Sequence, residues 1–239
     1  MASKKKQLEI SLKDLNDIKP ITDNQKEVFN NFADKNLFLY GVAGTGKTFV
    51  ALYNALKDVL DPKSPRERVY IVRSIIPTRD IGFLPGDEED KSYLYQTPYQ
   101  NMVRFMFKRG SDAEFDRLYN DLRNQGTIDF LTTSFLRGVT IDNGVIIVDE
   151  CQNLNFHELD TIMTRVGQDS KIVFAGDMQQ TDLTKTQDRN GILDFVNILQ
   201  QMPEVNCIEF DLNDIVRSGL IKSYLINKIK LGLHYEQQI

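Results

Sequence analysis

Short apolar segments alternate with longer amphipathic segments along this chain. Six segments have the length and composition of buried strands: NLFLYG (36–41), RVYIVRS (68–74), TIDFLTT (127–133), GVIIVDE (144–150), KIVFAGD (171–177) and NCIEFDL (206–212). Apolar residues at helical spacing lie between and beside these segments, in 21–32, 48–60, 156–167 and 189–202. This alternation predicts a three-layer α/β fold, with a mostly parallel central sheet covered by helices on both faces.

Two stretches depart from the alternation. Residues 76–126 combine a polar stretch containing proline and glycine with a helical region, and we interpret them as an inserted segment. Residues 1–19 are mostly polar and predict an N-terminal tail. The remainder, 20–239, predicts a single domain, because a chain of this length buries enough apolar surface for one large α/β unit.

The composition and charge of the chain argue against several classes of protein. The chain has 239 residues, of which 41% are hydrophobic and 26% charged, and no apolar run is long enough to cross a bilayer. The first residues lack the apolar stretch of a secretory signal, so we expect a cytoplasmic protein without membrane contact. Two cysteines are too few for a disulfide framework or a zinc site. The net charge of −5 gives no general attraction to nucleic acid.

A glycine-rich motif follows the first predicted strand. It matches G-x-x-x-x-G-K-[ST] in full and consists of Gly41, Val42, Ala43, Gly44, Thr45, Gly46, Lys47 and Thr48. Glycines let the backbone turn its N–H groups towards phosphates, and the helix that follows adds its positive end. We expect Lys47 to reach the β- and γ-phosphates and Thr48 to bind Mg²⁺. The motif predicts a phosphate-loop nucleotide site.

Polar residues end two later strands. Asp149 and Glu150 close GVIIVDE, where an aspartate can hold Mg²⁺ and a glutamate can accept a proton from attacking water. Taken alone, this pair would be an ordinary acidic strand end, but together with the phosphate loop it predicts hydrolysis. Asp177, Gln179 and Gln180 follow the next strand at the same sheet edge, either as a γ-phosphate sensor or as a polar turn.

Seven motifs in this order resemble the PhoH family of phosphate-starvation-inducible ATPases, especially its bacteriophage members. They are ITDNQ, GVAGTGKT, IGFLPGD, TSFLRG, VIIVDECQN, TRVGQDSKIVFAGDMQQTDL and DIVRSGLI, and they span about residues 20–230. The family in turn resembles the first RecA-like domain of superfamily 1 helicases. The resemblance therefore implies a RecA-like fold, ATP as the ligand and Mg²⁺ as its metal.

The resemblance also implies roles for single residues. Gln25 would read adenine, Asp149 would hold Mg²⁺, Glu150 would activate water, and Gln180 would link hydrolysis to movement. Three arginines lie in family motifs and are candidates to stabilise transition-state charge, in cis or from a neighbouring subunit: Arg137, Arg165 and Arg217. We rank Arg217 first, and the alternative for each is a structural salt bridge.

One departure from the family pattern is Cys151, which stands where alanine is usual. A buried cysteine behaves as a small hydrophobic residue, so we assign Cys151 to the core. The nearest histidine in sequence, His157, is expected to face solvent on a helix. A catalytic Cys–His pair is therefore not predicted.

The chain has room for one RecA-like core, whereas a superfamily 1 helicase closes ATP between two. We therefore expect a homo-oligomeric ring, with a hexamer as one option, that acts as a Mg²⁺-dependent ATPase. Coupling to single-stranded RNA or DNA would use segment 92–109, where aromatic residues accompany Arg104, Lys108 and Arg109.

Two alternatives stay open. Segment 92–109 also fits an amphipathic helix that packs Val103, Phe105 and Met106 inward. The whole protein also fits an ATP-dependent switch or assembly module without motor activity. A kinase lid and a nuclease site are not recognisable in the sequence. Similarity to phage members suggests expression in the cytoplasm of a bacterial host.

Overall fold

The structure is a computed structural model that describes residues 10–73, 88–133, 136, 138–178, 183 and 186–231. Three residues discussed above, Arg137, Gln179 and Gln180, lie outside the described residues. The GFLPGD motif within 76–87 also lies outside them.

The centre of the fold is a six-stranded sheet in which all neighbouring strands are parallel. Its strands are β1 (Asn36–Gly41), β2 (Arg68–Arg73), β3 (Ile128–Leu131), β4 (Gly144–Asp149), β5 (Lys171–Gly176) and β6 (Val205–Phe210). Their order across the sheet is β3-β2-β4-β5-β1-β6. Each predicted strand is present, and the two most apolar predicted strands, β1 and β4, lie in the interior of the sheet.

Seven α-helices occur in the described part of the chain. They are α1 (Asp23–Asn31), α2 (Lys47–Val59), α3 (Glu88–Met106), α4 (Asp112–Asn124), α5 (Phe156–Met163), α6 (Thr186–Gln200) and α7 (Gly219–Lys230). The Thr22 side chain caps α1 by accepting a hydrogen bond from Gln25 N–H, as the sequence predicts. Asn155 and Glu158 form a capping box that starts α5.

The strands divide the apolar residues between two cores. In β1, Leu37 and Leu39 face one core while Phe38 faces the other, and β4 alternates in the same way. Helices α1 to α4 supply the first core, and α5 and α6 supply the second. The arrangement is the three-layer α/β fold that the sequence predicts.

The inserted segment 76–126 connects β2 to β3, and its described part consists mainly of α3 and α4. These helices place Tyr99, Val103 and Phe115 in the first core, and β3 then pairs with β2 at the sheet edge. The described part of the segment therefore packs as a layer of the main domain. It also positions one side chain of the site described below.

Residues 10–19 pack onto the domain, which differs from the predicted polar tail over 1–19. Ile10 and Leu15 are each 5% exposed and belong to the first core. Asn16 N–H donates to the carbonyl oxygen of Met106, and Leu15 forms an isolated bridge with Phe107. The reason is that two apolar residues within this polar stretch can bury against the end of α3.

A search of the described residues finds no helix that combines the length and the apolar character required to cross a membrane.

Candidate active site

A glycine-rich turn joins β1 to α2. Gly41, Gly44 and Gly46 have φ angles of 114°, 78° and 83°, a region in which a residue with a Cβ is strained. Helix α2 begins at Lys47, directly after Gly46 as its N-cap. The unpaired N–H groups of a first helical turn, next to such a turn, form a concave positive surface. This geometry suits a phosphate group.

The last residue of β6 and the backbone that follows it support this turn. Val42 N–H donates to the carbonyl oxygen of Phe210 at 2.9 Å, and Val216 N–H donates to the carbonyl oxygen of Gly44 at 3.1 Å. A Cβ on Gly41 would collide with the Phe210 carbonyl oxygen. Glycine at position 41 is therefore required both by its φ angle and by the close approach of β6.

The Lys47 ammonium lies inside the turn. Its Nζ donates to the carbonyl oxygens of Gly41 at 2.8 Å and Val42 at 2.7 Å, and the residue is 8% exposed. Burial lowers the pKa of Lys47, while the charges of Asp177 and Glu150 act in the opposite direction. The ammonium is thus held at the centre of the turn, among carboxylates that favour its charged form.

The metal-binding residues expected from the sequence meet across the sheet. The Thr48 hydroxyl donates to Oδ1 of Asp149 at 2.7 Å, although the two residues are 101 positions apart. Asp149 ends β4 and is 5% exposed. Burial raises the pKa of Asp149, while hydrogen bonds from Tyr99 and Thr48 favour its charged form.

Asp149 has a second donor that the sequence analysis did not assign. The hydroxyl of Tyr99, in α3, donates to Oδ2 of Asp149 at 2.6 Å. Tyr99 is 2% exposed, and burial followed by the charge of Asp149 raises the pKa of its phenol. The hydroxyl therefore keeps its proton and remains a donor.

Glu150 and Asp177 are linked through Gln152. Gln152 Nε2 donates to Oε2 of Glu150 at 2.6 Å, and its Oε1 accepts from Asp177 N–H at 3.1 Å. Glu150 has a φ angle of 51°, in the left-handed region, so the chain turns sharply after β4. Because β5 lies between β1 and β4, Asp177, directly after β5, lies between the phosphate loop and the acid pair along the sheet edge. Gln152 thus joins the ends of β4 and β5.

The donor set fits Mg²⁺. A hydroxyl and a carboxylate are hard oxygen ligands, and Mg²⁺ is usually held by one or two such groups together with phosphates. Among the residues that the structure describes, no group of three or more His, Cys, Asp and Glu could hold a metal by protein ligands alone. Thr48 and Asp149 are therefore suited to a metal that arrives with a nucleotide.

Gln25, to which the family resemblance gives a role in adenine recognition, lies against the phosphate loop. It is 4% exposed, and its Nε2 donates to the carbonyl oxygen of Thr45 at 3.0 Å. Its Oε1 accepts from Ile21 N–H at 2.9 Å. Contact with adenine through both ends of the amide would require one of these bonds to be shared or exchanged.

The candidate arginines lie in different places. Arg217 is exposed beside the loop, and a Cβ on Gly44 would lie 3.1 Å from its Cγ. Arg165 precedes β5, so it lies at the amino edge of the sheet, about 20 Å of strand away from the carboxyl edge. The structure therefore brings Arg217, and not Arg165, to the loop of its own chain.

Basic residues of segment 92–109 are engaged within the protein. Arg104 pairs with Asp112 and with Asp116 and lies 4.4 Å from the ring centroid of Phe115. Arg109 pairs with Asp14 at 3.1 Å, and Lys108 Nζ donates to the carbonyl oxygen of Lys13 at 3.2 Å. These contacts favour the amphipathic-helix alternative for this segment.

The amphipathic prediction is correct for two of its three residues. Val103 and Met106 are fully buried, whereas Phe105 is 71% exposed. The prediction for Phe105 is wrong because positions 103 and 106 share one side of the helix, and position 105 points away from it.

Cys151 and His157 lie as the sequence predicts. Cys151 is 3% exposed within the second core, and burial raises the pKa of its thiol. His157 is exposed on α5. A buried thiol with a raised pKa is a poor nucleophile, so Cys151 serves packing.

The model of the PhoH-like protein family matches residues 17–228, which is most of the chain. The chain belongs to the PhoH-like family.

Curated relatives agree with this assignment. The PhoH-family chain is 37% identical to Protein PhoH2 of Bacillus subtilis (strain 168) over 159 residues, covering 66% of this chain and 35% of the relative. It is 31% identical to a PhoH-like protein of Mycobacterium leprae (strain TN) over 217 residues, covering 90% of this chain and 59% of the relative. The chain thus spans between about a third and three fifths of the length of these relatives.

A solved structure shares the fold of this PhoH-family chain. It is the large terminase of a thermophilic bacteriophage in complex with ADP, with a TM-score of 0.51 and 13% identity. The match covers 86% of this chain and 49% of the terminase chain. At this identity the likeness concerns the fold alone, and it confirms the predicted phosphate-loop α/β architecture.

Sequence reasoning missed three residues of the PhoH-family site. Tyr99 and Gln152 are described above, and Arg73 ends β2 opposite Asp149 in the strand register. Burial acts to lower the pKa of Arg73, but Tyr99 and the two acids raise it overall. Position at the carboxyl end of a predicted strand was a signal for Arg73. Tyr99 carried no signal, since its helical pattern shows only burial.

Proposed function

We propose that this PhoH-family chain binds ATP with Mg²⁺ at residues 41–48 and hydrolyses it. The observation that carries the proposal is the hydrogen bond between Thr48 and Asp149, which joins the phosphate loop to the acid pair. Lys47 directly precedes Thr48 in the sequence, and Glu150 directly follows Asp149. The terminase that shares this fold holds ADP in its solved structure, which supports nucleotide binding here.

In this proposal, N–H groups of the loop and the first turn of α2 bind the phosphates of ATP. Lys47 exchanges its bonds to the Gly41 and Val42 carbonyls for the β- and γ-phosphate oxygens. Thr48 and Asp149 would hold Mg²⁺, which would supply charge neutralisation for the phosphates when bound. Gln25 beside Thr45 selects adenine.

Glu150 acts as the general base. It orients a water molecule towards the γ-phosphate and accepts its proton, while Gln152 holds one carboxylate oxygen. Arg217, beside Gly44, stabilises the charge that develops on the phosphates. Gln180, outside the described residues, is assigned the link between hydrolysis and movement that the family resemblance implies.

Phosphate release from Mg²⁺-ATP tests this function. Wild type should turn over only with Mg²⁺, and Glu150→Gln should still bind ATP but lose turnover by about 10²- to 10⁴-fold. Lys47→Ala should lose ATP binding as well. Lys57→Ala is a matched control, because Lys57 is exposed in the last turn of the same helix. Full Mg²⁺-dependent turnover in Lys47→Ala would refute the proposal.

We further propose that ATP hydrolysis is coupled to single-stranded RNA or DNA. This part of the proposal rests on the helicase resemblance. Since Arg104 and Arg109 are ion-paired, we assign the contact to a surface other than the described part of 92–109. Adding single-stranded RNA or DNA should raise turnover. Turnover indifferent to both, with a change in sedimentation on ATP binding, would favour the alternative of a switch or assembly module.

We also propose a homo-oligomeric ring, with six subunits as one option. Helix α7 and the residue after it expose Leu220, Tyr224 and Leu231 by 83%, 65% and 71%, and a neighbouring copy would cover them. Sedimentation of the purified chain with and without ATP tests this. A monomer under both conditions would remove the ring. Following the phage resemblance, we place the protein in the cytoplasm of a bacterial host.

A further inference from the structure

Asp149 is held by two hydroxyl groups from two different helices on one face of the sheet. Thr48, in α2, donates to Oδ1, and Tyr99, in α3, donates to Oδ2 at 2.6 Å. Asp149 and Tyr99 are 5% and 2% exposed, so water has little access to either group. A buried carboxylate requires such donors, because an oxygen without a hydrogen-bond partner would lose its hydration without compensation.

We propose that Tyr99 is a positioning residue for magnesium binding, which it performs by fixing the carboxylate of Asp149 in the orientation that presents Oδ1 to Thr48 and the metal. The proposal rests on the proposed function, since it concerns the same Mg²⁺-ATP site.

A carboxylate with one oxygen free can rotate about its terminal torsion, which has a broad energy minimum. The Tyr99 bond occupies Oδ2 and opposes that rotation, so Oδ1 stays directed towards Thr48. Partners of this kind, which hold a metal ligand without touching the metal, typically change metal affinity or activity by about 10- to 100-fold.

Tyr99 itself is rigidly placed. Its ring packs edge-on against Phe130 of β3, with centroids 5.5 Å apart and planes at 61°. Arg73, at the end of β2, interacts with the Tyr99 side chain and with the carboxylates of Asp149 and Glu150. The hydroxyl therefore approaches Asp149 from a fixed position, which a flexible side chain could not provide.

Tyr99→Phe tests the proposal because it keeps the ring and removes the hydroxyl that donates to Asp149 and also interacts with Arg73. The first readout is Mn²⁺ binding in the presence of a non-hydrolysable ATP analogue, measured by electron paramagnetic resonance of free Mn²⁺. The Kd for Mn²⁺ should rise by about 10-fold or more. The second readout is ATP turnover against Mg²⁺ concentration, where the half-saturating Mg²⁺ should rise while kcat is largely recovered at high Mg²⁺.

Tyr53→Phe is the matched control. Tyr53 is 3% exposed in α2, and its hydroxyl donates to the carbonyl oxygen of Asn16 and accepts from Ile18 N–H. This variant loses a buried tyrosine hydroxyl without touching Asp149, so its Mn²⁺ affinity should match wild type. Equal Mn²⁺ affinity in wild type and Tyr99→Phe would overturn the proposal and leave Tyr99 as a core residue.

A second variant covers the case in which Tyr99→Phe does not fold. Site-specific 4-aminophenylalanine at position 99 keeps the ring and restores an N–H donor, so Mn²⁺ affinity should remain within a few-fold of wild type. An affinity loss as large as that expected for removal of the donor would refute the proposal. Failure of the proposed function is distinct, because wild type itself would then show no Mg²⁺-dependent ATP binding or turnover.

Discussion

The carbonyl oxygen of Phe210 occupies the space that a Cβ on Gly41 would need. Gly41→Ala therefore combines a positive φ with a collision against backbone that cannot rotate away. We expect a loss of more than about 3 kcal/mol in the free energy of unfolding, together with loss of nucleotide binding.

Gly126→Ala is the control for this prediction. Gly126 has a φ of 71°, but its Cβ would meet only the Arg68 side chain, at 3.7 Å or more. We expect it to cost about 1–2 kcal/mol for the φ angle alone. Urea unfolding measures both variants, and equal losses would show that the contact with Phe210 does not matter.

Gln152 should matter for turnover more than for ATP binding. Its Nε2 holds Glu150 and its Oε1 accepts from Asp177 N–H, so Gln152→Ala frees Glu150, the proposed general base, to rotate. We expect kcat to fall by about 10-fold or more with a much smaller change in the Kd for ATP. Exposed Gln168 provides the control variant Gln168→Ala. A purely higher Kd, with normal kcat, would argue against this role.

Lys171 should make stability depend on pH at the alkaline end. It is buried at the start of β5, where its Nζ donates to the Lys35 carbonyl oxygen. Burial, assisted by the charge of Arg66, lowers its pKa from 10.5 to about 8. The unfolded chain therefore binds a proton that the folded chain releases between these pH values. The free energy of unfolding should rise across this window by an amount on the order of 1–3 kcal/mol.

Urea unfolding at pH 7, 8.5 and 10 checks the Lys171 prediction. In Lys171→Met, the free energy of unfolding should no longer rise across this window. At pH 7 this variant should be more stable than wild type, by an amount that is reduced by the loss of the hydrogen bond to Lys35. Lys57→Met, at an exposed lysine, should follow the wild-type pH dependence. Parallel curves for wild type and Lys171→Met would contradict the effect of burial.

Arg104 should contribute to stability and not to nucleic-acid binding. It pairs with Asp112 and Asp116 and covers the ring of Phe115. Arg104→Gln should cost about 0.5–1.5 kcal/mol, part of which disappears at high salt because the ion pairs are exposed. Its affinity for single-stranded oligonucleotide should equal wild type across a salt titration. A reduced salt slope would show that Arg104 binds phosphate.

The strands and helices could be predicted because their signals are local. Strand β4 is apolar at every position between Gly144 and Asp149, and α1 has a Thr22 cap followed by apolar residues on one side. The phosphate loop was also predictable, since its residues are contiguous and their types follow from phosphate chemistry. The partnership of Thr48 with Asp149 followed from the shared sheet edge.

The remaining site contacts depend on packing that local patterns do not encode. Tyr99 reaches Asp149 because α3 packs beside α2 in the first core, and periodicity alone cannot predict where along its neighbours a helix packs. The burial of Ile10 and Leu15 depends on a surface created by α3, which lies far along the chain. The sequence alternative packed Phe105 inward, but its side chain is exposed, because the apolar character of one residue does not determine whether it faces the core.

The hydrogen bonds that Val42 N–H donates to Phe210 and that Val216 N–H donates to Gly44 have a consequence for the growing chain. During synthesis, the glycine-rich turn emerges early, but two of the backbone groups that shape it have no partners until residues up to Val216 have left the ribosome. A nascent chain that stops short of β6 therefore carries the nucleotide motif without its final shape. Under the proposed function, nucleotide binding therefore requires a chain whose sheet has been completed as far as β6.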